Sequence, residues 1–407
     1  MSDTYFTASR FEEAVDIVSQ AVQETKLVFS DYLSRQSGAK VYLKPENMQF
    51  TGAYKLRGAY YKISTLSEEE REKGLITASA GNHAQGVAHA ARRFGVRAII
   101  VMPTTTPLIK VNRTKDLGAQ VILSGDLYDE SCQTALAMAA AEGYSFIHPF
   151  DDLAIVTGQG TVMMEIYKEL PLVDIVLVPV GGGGLATGVA ALAKLLNPKI
   201  RVIGVEPAGA NALQESLRAG QLVSIESANT IADGAAVRTP GTIIFPYLQK
   251  YLDDCITVED EELVASFLDM VENHKMVVEN TGLLAVAALK HLDVKGKRIA
   301  AILTGGNMDV ITMSSVVQRG LIIRDRIFTV SVLLPDKPGE LTRVSDVIAK
   351  QNGNVIKLEH NQFVSINRSA AVELRITLEA YGSEHKNEII TALEGGGYKP
   401  RVVRTSI

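Results

Sequence analysis

Between residues 40 and 303 the chain alternates short continuous apolar runs with longer stretches in which apolar residues recur at helical spacing. The runs predict strands and the spaced stretches predict helices. Strands are expected at residues 40–44 (KVYLK), 75–79 (LITAS), 96–102 (VRAIIVM), 119–125 (AQVILSG) and 144–150 (YSFIHPF), with helices at 81–95, 108–118 and 126–143. Ser9-Arg10-Phe11-Glu12 has a capping-box pattern and opens a first helix with Phe11, Ala14, Val15 and Val18 on its apolar side. Ser67, with Glu70 three residues on, opens another that stops at Gly74. From Asp151 the rhythm resumes in longer units: a helix at 157–170, a strand at 173–180, a helix entered through the glycines at 181–184 and a strand at 199–207. Further strands at 254–258 and 298–303 are separated by a helix at 262–275 and an apolar stretch at 283–292. Strands that are apolar throughout belong to parallel sheets covered on both faces, so two α/β units are expected, with the chain crossing back near Pro149.

Past Gly320 the pattern changes. A strand at 327–334, a helix at 338–353, strands at 354–363 and 371–380 joined by a polar loop, a helix at 383–397 and a strand at 398–403 give the order βαββαβ. That is the split βαβ, ferredoxin-like arrangement, and it can fold as a module of its own.

The chain has 407 residues, 46% of them hydrophobic, which is too long for one core and rich enough for several. Its net charge of −5 comes from interspersed acids and bases, and no Lys/Arg block would track a phosphate backbone, so nucleic acid is not an expected partner. The start, MSDTYFTASRFEEAV, is acidic, with neither a basic leader nor a long apolar run, and no stretch reaches membrane-spanning length uninterrupted. A cytoplasmic protein without membrane contact is expected. Cys132 and Cys255 have no second cysteine or histidine at ligand spacing and are read as reduced core residues.

Chemistry concentrates in four stretches. In NMQFTGAYKLRGA, Lys55 opens a helix just past Gly52, while Leu56, Ala59, Tyr60 and Ile63 anchor its far side. An ordinary helix lysine is one reading; an amine kept partly neutral at a helix N-terminus, able to form an imine with an aldehyde, is the other. Gly181-Gly182-Gly183-Gly184 lies between a buried strand and a helix starting at Leu185. It is either a flexible turn or a cradle of backbone N–H groups for a phosphate, since neither a dinucleotide fingerprint nor a Walker loop is present. Ser79-Ala80-Gly81-Asn82-His83 makes either a helix cap or a carboxylate site. Leu303-Thr304-Gly305-Gly306-Asn307 is a third glycine-bearing turn. Such turns at the carboxyl ends of parallel strands line one crevice, where open α/β sheets bind ligands. His148 and His274 are read as packed or surface residues.

TGAYKLRGA, TASAGNHAQG, PVGGGGL and LTGGNMD occur in that order, with GQGT, VIGVEP and TIADGAAV between them and LLPDKPGEL beyond. Together they resemble the threonine dehydratases (threonine ammonia-lyases) with a single ACT regulatory domain, fold type II pyridoxal-phosphate enzymes related to the tryptophan synthase β subunit. The resemblance covers nearly the whole chain. It implies a large subdomain from residues 1–47 and 150–320, a small α/β subdomain from 48–149 and an ACT domain from 327–407. It also implies dehydration and deamination of L-threonine, and of L-serine, to 2-oxobutyrate or pyruvate and ammonia. Lys55 would carry the cofactor imine and remove the Cα proton, with Tyr54, where the family usually has Phe, beside it. Asn82 would bond the 3′ oxygen, Gly181, Gly182, Gly183, Gly184 and Leu185 the phosphate, and Thr304, usually Ser or Cys, the ring nitrogen. Ser79, Ala80, Gly81, Asn82 and His83 would receive the substrate carboxylate.

Departures from the family pattern sharpen these expectations. Racemases of the family carry Ser at Ala80, so racemisation should be weak. Their divalent ion uses a Glu, a backbone carbonyl and an Asp; Glu206 and Ala210 match but Ala212 replaces the Asp, leaving a monovalent cation as the reading still open. Lys26 replaces a Pro, and Asn280-Thr281 replace a glycine-rich or proline-bearing sequence after Glu279, which bears on substrate preference. For the ACT domain the resemblance implies an amino-acid or nucleotide effector bound between copies near Pro338 and Gly339, in a homodimer or tetramer. A β-replacing synthase and a non-catalytic sensor are the rival readings.

Overall fold

The apolar runs become parallel strands in two sheets. One orders Gln120–Leu123, Ala98–Met102, Leu75–Ala78 and Ser145–Phe146, all parallel. The other orders Val28–Ser30, Lys40–Lys44, Arg298–Ile302, Ile175–Pro179, Arg201–Pro207 and Asp254–Val258, parallel except for its first pair. Every residue of Leu75–Ala78, Ala98–Met102 and Ile175–Pro179 is buried, as helices on both faces of a parallel sheet require. The computed structural model describes residues 5–362 and 372–405, and its contacts divide the chain into two units, Met1–Met308 and Asp309–Ile407. Both parallel sheets lie in the first.

Several local expectations shift for identifiable reasons. The first helix, Ala8–Val18, is capped two residues early by Thr7, whose hydroxyl accepts from the Arg10 N–H. The strand expected at 144–150 shortens to Ser145–Phe146 because His148 Nδ1 accepts the N–H groups of Phe150 and Asp151 and turns the chain. The helix expected from 157 begins at Leu153, where Asp152 accepts from the Ala154 and Ile155 N–H groups. Five elements were not anticipated: Val28–Ser30, Asp31–Ser37, Ala212–Ala219, Phe245–Tyr251 and Val310–Ile323.

In the second unit the antiparallel order is Asn354–Asn361, Val372–Glu379, Ile327–Leu334 and Arg401–Val403, with helices Glu340–Lys350 and Ser383–Gly395 completing βαββαβ. Phe328, Val330, Val332 and Leu334 meet Val344, Ile348, Ile389 and Leu393 in its core. The intervening Thr329 and Ser331 instead bond Thr377 and Glu373. The polar loop expected between the middle strands falls largely on residues 363–371, outside the described residues.

Candidate active site

Lys55 is the first residue of the helix Lys55–Ser64, and its amine donates to the Pro149 carbonyl at 2.8 Å. It is half-buried. Desolvation pulls its pKa down to about 8, with Glu279 nearby pulling the other way. Tyr54 lies beside it, its ring centre 5.5 Å from the amine. The residue after Pro149 is Phe150, and the glycine run folds around it. A Cβ on Gly182 would stand 2.4 Å from the Phe150 ring, so only glycine fits there. The helix Gly184–Leu196 starts at this bend, and its first-turn N–H groups have no intrahelical acceptor. The lysine and the glycine run, 126 positions apart in sequence (55 to 181), are thus joined through two consecutive residues.

Ser79-Ala80-Gly81 follows the strand Leu75–Ala78 and leads into the helix Asn82–Phe94, whose N-terminus has no side-chain cap. Asn82 donates to Glu279 Oε1 at 2.7 Å and accepts from Asn307 Nδ2 at 2.9 Å. His83 bonds the Ile147 carbonyl through Nε2 at 2.9 Å, which makes that nitrogen the donor. Burial and the neighbouring Lys55 push its pKa down to about 3, so it is neutral, with Nδ1 buried and unpartnered. The sequence placed His83 in a carboxylate-receiving loop, and its imidazole ties that loop to Ile147. Thr304 follows the strand Arg298–Ile302, its carbonyl accepts from Tyr54 N–H at 3.1 Å, and its hydroxyl is buried without a partner.

The lysine helix is held from behind by ion pairs. Fully buried Arg57 donates to both Glu46 oxygens at 2.8 Å and to both Glu165 oxygens at 2.6 and 2.8 Å, and buried Lys44 also pairs with Glu165. Glu46 further accepts from Thr25 and Gln49. A Cβ on Gly158 would lie 2.7 Å from the Arg57 carbonyl, so glycine here lets the helix Leu153–Glu169 cross the lysine helix at close range. Sequence reasoning did not foresee the roles of Pro149, Phe150, Glu279 and Asn307. Asn307 lay within a quoted motif and Glu279 beside one, but nothing in their spacing showed that they meet.

Residues that could hold pyridoxal phosphate are therefore brought together, and two features fit that group: the unpartnered Thr304 hydroxyl, suited to a ring nitrogen, and the glycine bend at a helix N-terminus, suited to a phosphate. The family described as "Pyridoxal-phosphate dependent enzyme" matches residues 18–305. The chain belongs to this family. Among pyridoxal-phosphate-dependent enzymes it is 42% identical to an L-threonine ammonia-lyase of Thermotoga maritima, over 98% of this chain and 99% of that one. The processed form of threonine deaminase isoform 2 from Solanum lycopersicum superposes with a TM-score of 0.73 at 38% identity, covering 78% of this chain and 95% of that one. Maize serine racemase gives 0.73 at 33% identity, covering 78% and 98%.

The positions that depart from the family pattern are placed as follows. Lys26 is exposed and pairs with Glu24 at 2.6 Å. Asn280 donates to the Ile231 carbonyl, and Thr281 Oγ1 accepts from Gly234 N–H, so both brace the segment that packs on Gly181. At the cation position, Glu206 accepts the N–H groups of Leu213 and Gln214 at 2.9 and 2.8 Å and the Cys255 thiol at 3.5 Å, while Ala212 is buried beside it. Glu206 thereby caps the helix Ala212–Ala219, whose own N-cap side chain accepts none of the helix N–H groups. Three donors thus take most of this carboxylate's acceptor sites, and among the described residues no group of three or more His, Cys, Asp or Glu could hold a metal.

Proposed function

We propose that this protein is a threonine ammonia-lyase, converting L-threonine to 2-oxobutyrate and ammonia and L-serine to pyruvate and ammonia. The observation that carries the reading is the Lys55 amine, half-buried and held to Pro149 beside the glycine bend. Lys55, Asn82, Gly181 to Gly184, Leu185 and Thr304 would hold the cofactor, with Tyr54 alongside. Bound there, pyridoxal phosphate supplies an electron-withdrawing ring that accepts the electron pair left at the substrate Cα. With a pKa near 8, Lys55 is partly neutral around physiological pH and can take the Cα proton. Ser79, Ala80, Gly81, Asn82 and His83 would receive the substrate carboxylate at the start of the helix, where backbone N–H groups lack intrahelical acceptors, although the Ser79 N–H is given to the Val101 carbonyl. Thr304 offers the ring nitrogen a neutral hydroxyl, which does not hold it fully protonated and so favours prompt loss of the β-hydroxyl over a long-lived carbanion. Ala80 has no proton to deliver, so racemisation is weak.

The test is direct. Purified protein with pyridoxal phosphate is expected to form 2-oxo acid from L-threonine, and Lys55→Ala to lose both turnover and the visible absorbance of the bound cofactor. An unchanged spectrum in that variant rejects the assignment. Product formed only when an external nucleophile is added points to a β-replacing synthase, and no reaction at all points to a sensor.

The subdomain division at residues 47–48 and 149–150 is supported by the change of sheet between Phe146 and Ile175. For the βαββαβ unit the same proposal assigns an ACT role, binding an amino acid or nucleotide between copies in a homodimer or tetramer; its strand order supports this. Activity titrated with isoleucine, valine and a nucleotide tests it. Among the described residues no helix is long and apolar enough to cross a membrane, and a cytoplasmic location is part of the proposal.

A further inference from the structure

Asn82 sits in a chain of amides whose polarity is set from one end. The Thr51 carbonyl can only accept, and it takes a hydrogen from Asn307 Nδ2 at 2.7 Å. The same NH₂ group gives its other hydrogen to Asn82 Oδ1 at 2.9 Å. Asn82 is therefore turned with its oxygen toward Asn307 and its nitrogen toward Glu279, at 2.7 Å. Glu279 also accepts the Asn307 backbone N–H, so Asn307 grips both members of the pair. An asparagine amide is ordinarily ambiguous between two orientations. Here a fixed acceptor at one end and a carboxyl group at the other leave one. Asn82 Nδ2 spends one hydrogen on Glu279 and keeps the second.

We infer that Asn307 and Glu279 are positioning residues, which lock the Asn82 amide so that its remaining N–H, and not its oxygen, meets the phenolic oxygen of the cofactor. The inference rests on the assignment of Asn82 to that oxygen. A donor at this point stabilises negative charge on the phenolic oxygen, whereas a carbonyl would repel it. Thr51, Asn82 and Asn307 come from three of the motifs read in the sequence, so the device also registers three loops with one another. Gly306 N–H to the Gly52 carbonyl at 2.9 Å and Glu279 N–H to the Gly305 carbonyl at 2.9 Å hold the Thr51 and Asn307 loops and Glu279 together through backbone. The frame that presents Asn307 and Glu279 to Asn82 therefore does not depend on the side-chain bonds.

The experiment measures the visible spectrum, its pH titration and the dissociation constant for pyridoxal phosphate in the full-length protein. Asn307→Asp is nearly isosteric but places an acceptor against Asn82 Oδ1. It is expected to shift the band and weaken cofactor binding about tenfold, the size of one hydrogen bond. Asn307→Ala, which removes the donors without adding charge, should act in the same direction and serves if the Asp variant does not fold. Glu279→Gln can keep an acceptor toward Asn82 and is expected to restore most of the native spectrum, which a merely structural loss would not do. If Asn82→Ala changes the spectrum while both Asn307 variants keep the native band, titration and affinity, the positioning role is overturned. If Asn82→Ala itself changes nothing, the assignment of Asn82 falls and this inference with it.

Discussion

The two sides of the lysine helix treat charge in opposite ways. Behind it, Arg57, Lys44, Glu46 and Glu165 satisfy one another in a buried network. In front of it, Lys55 has a carbonyl as its hydrogen-bond acceptor, Glu279 is bonded by amides, and the Thr304 hydroxyl has no partner. Burial works to raise the Glu46 pKa, and the Arg57 charge overcomes it and holds Glu46 low, whereas burial lifts Glu279 to about 7. A polar group left unsatisfied in a folded interior is costly unless something else completes it. The contrast separates the part of the site that holds position from the part that awaits a ligand.

Removing a member of the rear network is the harshest way to break this contrast. Arg57→Met keeps the stem and deletes the charge, leaving Glu46 and Glu165 facing each other with Lys44 as the remaining cation. The expected loss is about 3–5 kcal/mol of folding stability, read by urea denaturation of the cofactor-free protein. A loss under about 1 kcal/mol would mean that the network is solvated, and the division between scaffold and site would dissolve.

The front side should respond in the reverse sense. Thr304→Val keeps the shape of the side chain and removes the orphaned hydroxyl. Cofactor-free protein is expected to gain about 1 kcal/mol, because an unsatisfied buried group disappears. The loaded enzyme should lose about tenfold in kcat/KM, the equivalent of one hydrogen bond. A variant less stable without cofactor and fully active with it would show that the hydroxyl serves the fold and not the ring.

Much of this division was legible in the sequence, and the part that was not has a physical cause. Apolar runs such as 98–102 and 175–179 announced parallel strands because burial on both faces leaves no polar alternation to read. Four glycines after a buried strand pointed to a tight bend, with a phosphate cradle as one of two readings, and close packing on Phe150 and Leu248 is a purpose that the letters alone did not show. Lys55 and Thr304 were legible through the family motifs around them. Glu279 was seen only as a landmark beside altered residues, and Arg57 only as a letter in a motif, because an ion pair between residues 57 and 165 leaves no trace in local spacing. The bond of the His83 ring to the Ile147 carbonyl was hidden for a related reason: Ile147 is remote in sequence. At Glu206 the matching letters did not show the backbone amides that bond its carboxylate, because no letter records them.

The gentlest test separates the two kinds of carboxyl by pH. In the unfolded chain Glu279 titrates near its ordinary value of 4.5, and in the fold near 7. Between these values the folded protein holds a proton that the unfolded chain has released, so stability contributed at this position is fully present below pH 4.5 and declines as pH rises to 7. Glu46, held low, has the opposite sign: its contribution is present above its unfolded value and fades as pH falls. Glu279→Gln removes the titration while keeping a neutral amide in place. The stability of cofactor-free wild type minus that of the variant is therefore expected to fall steadily between pH 4.5 and pH 7. Glu206, also raised to about 7 by burial, leaves a slope of the same sign in both proteins and cancels in the difference. Parallel stability curves would mean that Glu279 ionises as freely as a surface carboxyl. The front of the lysine helix would then carry an ordinary anion, and only the Thr304 hydroxyl would still distinguish it from the back.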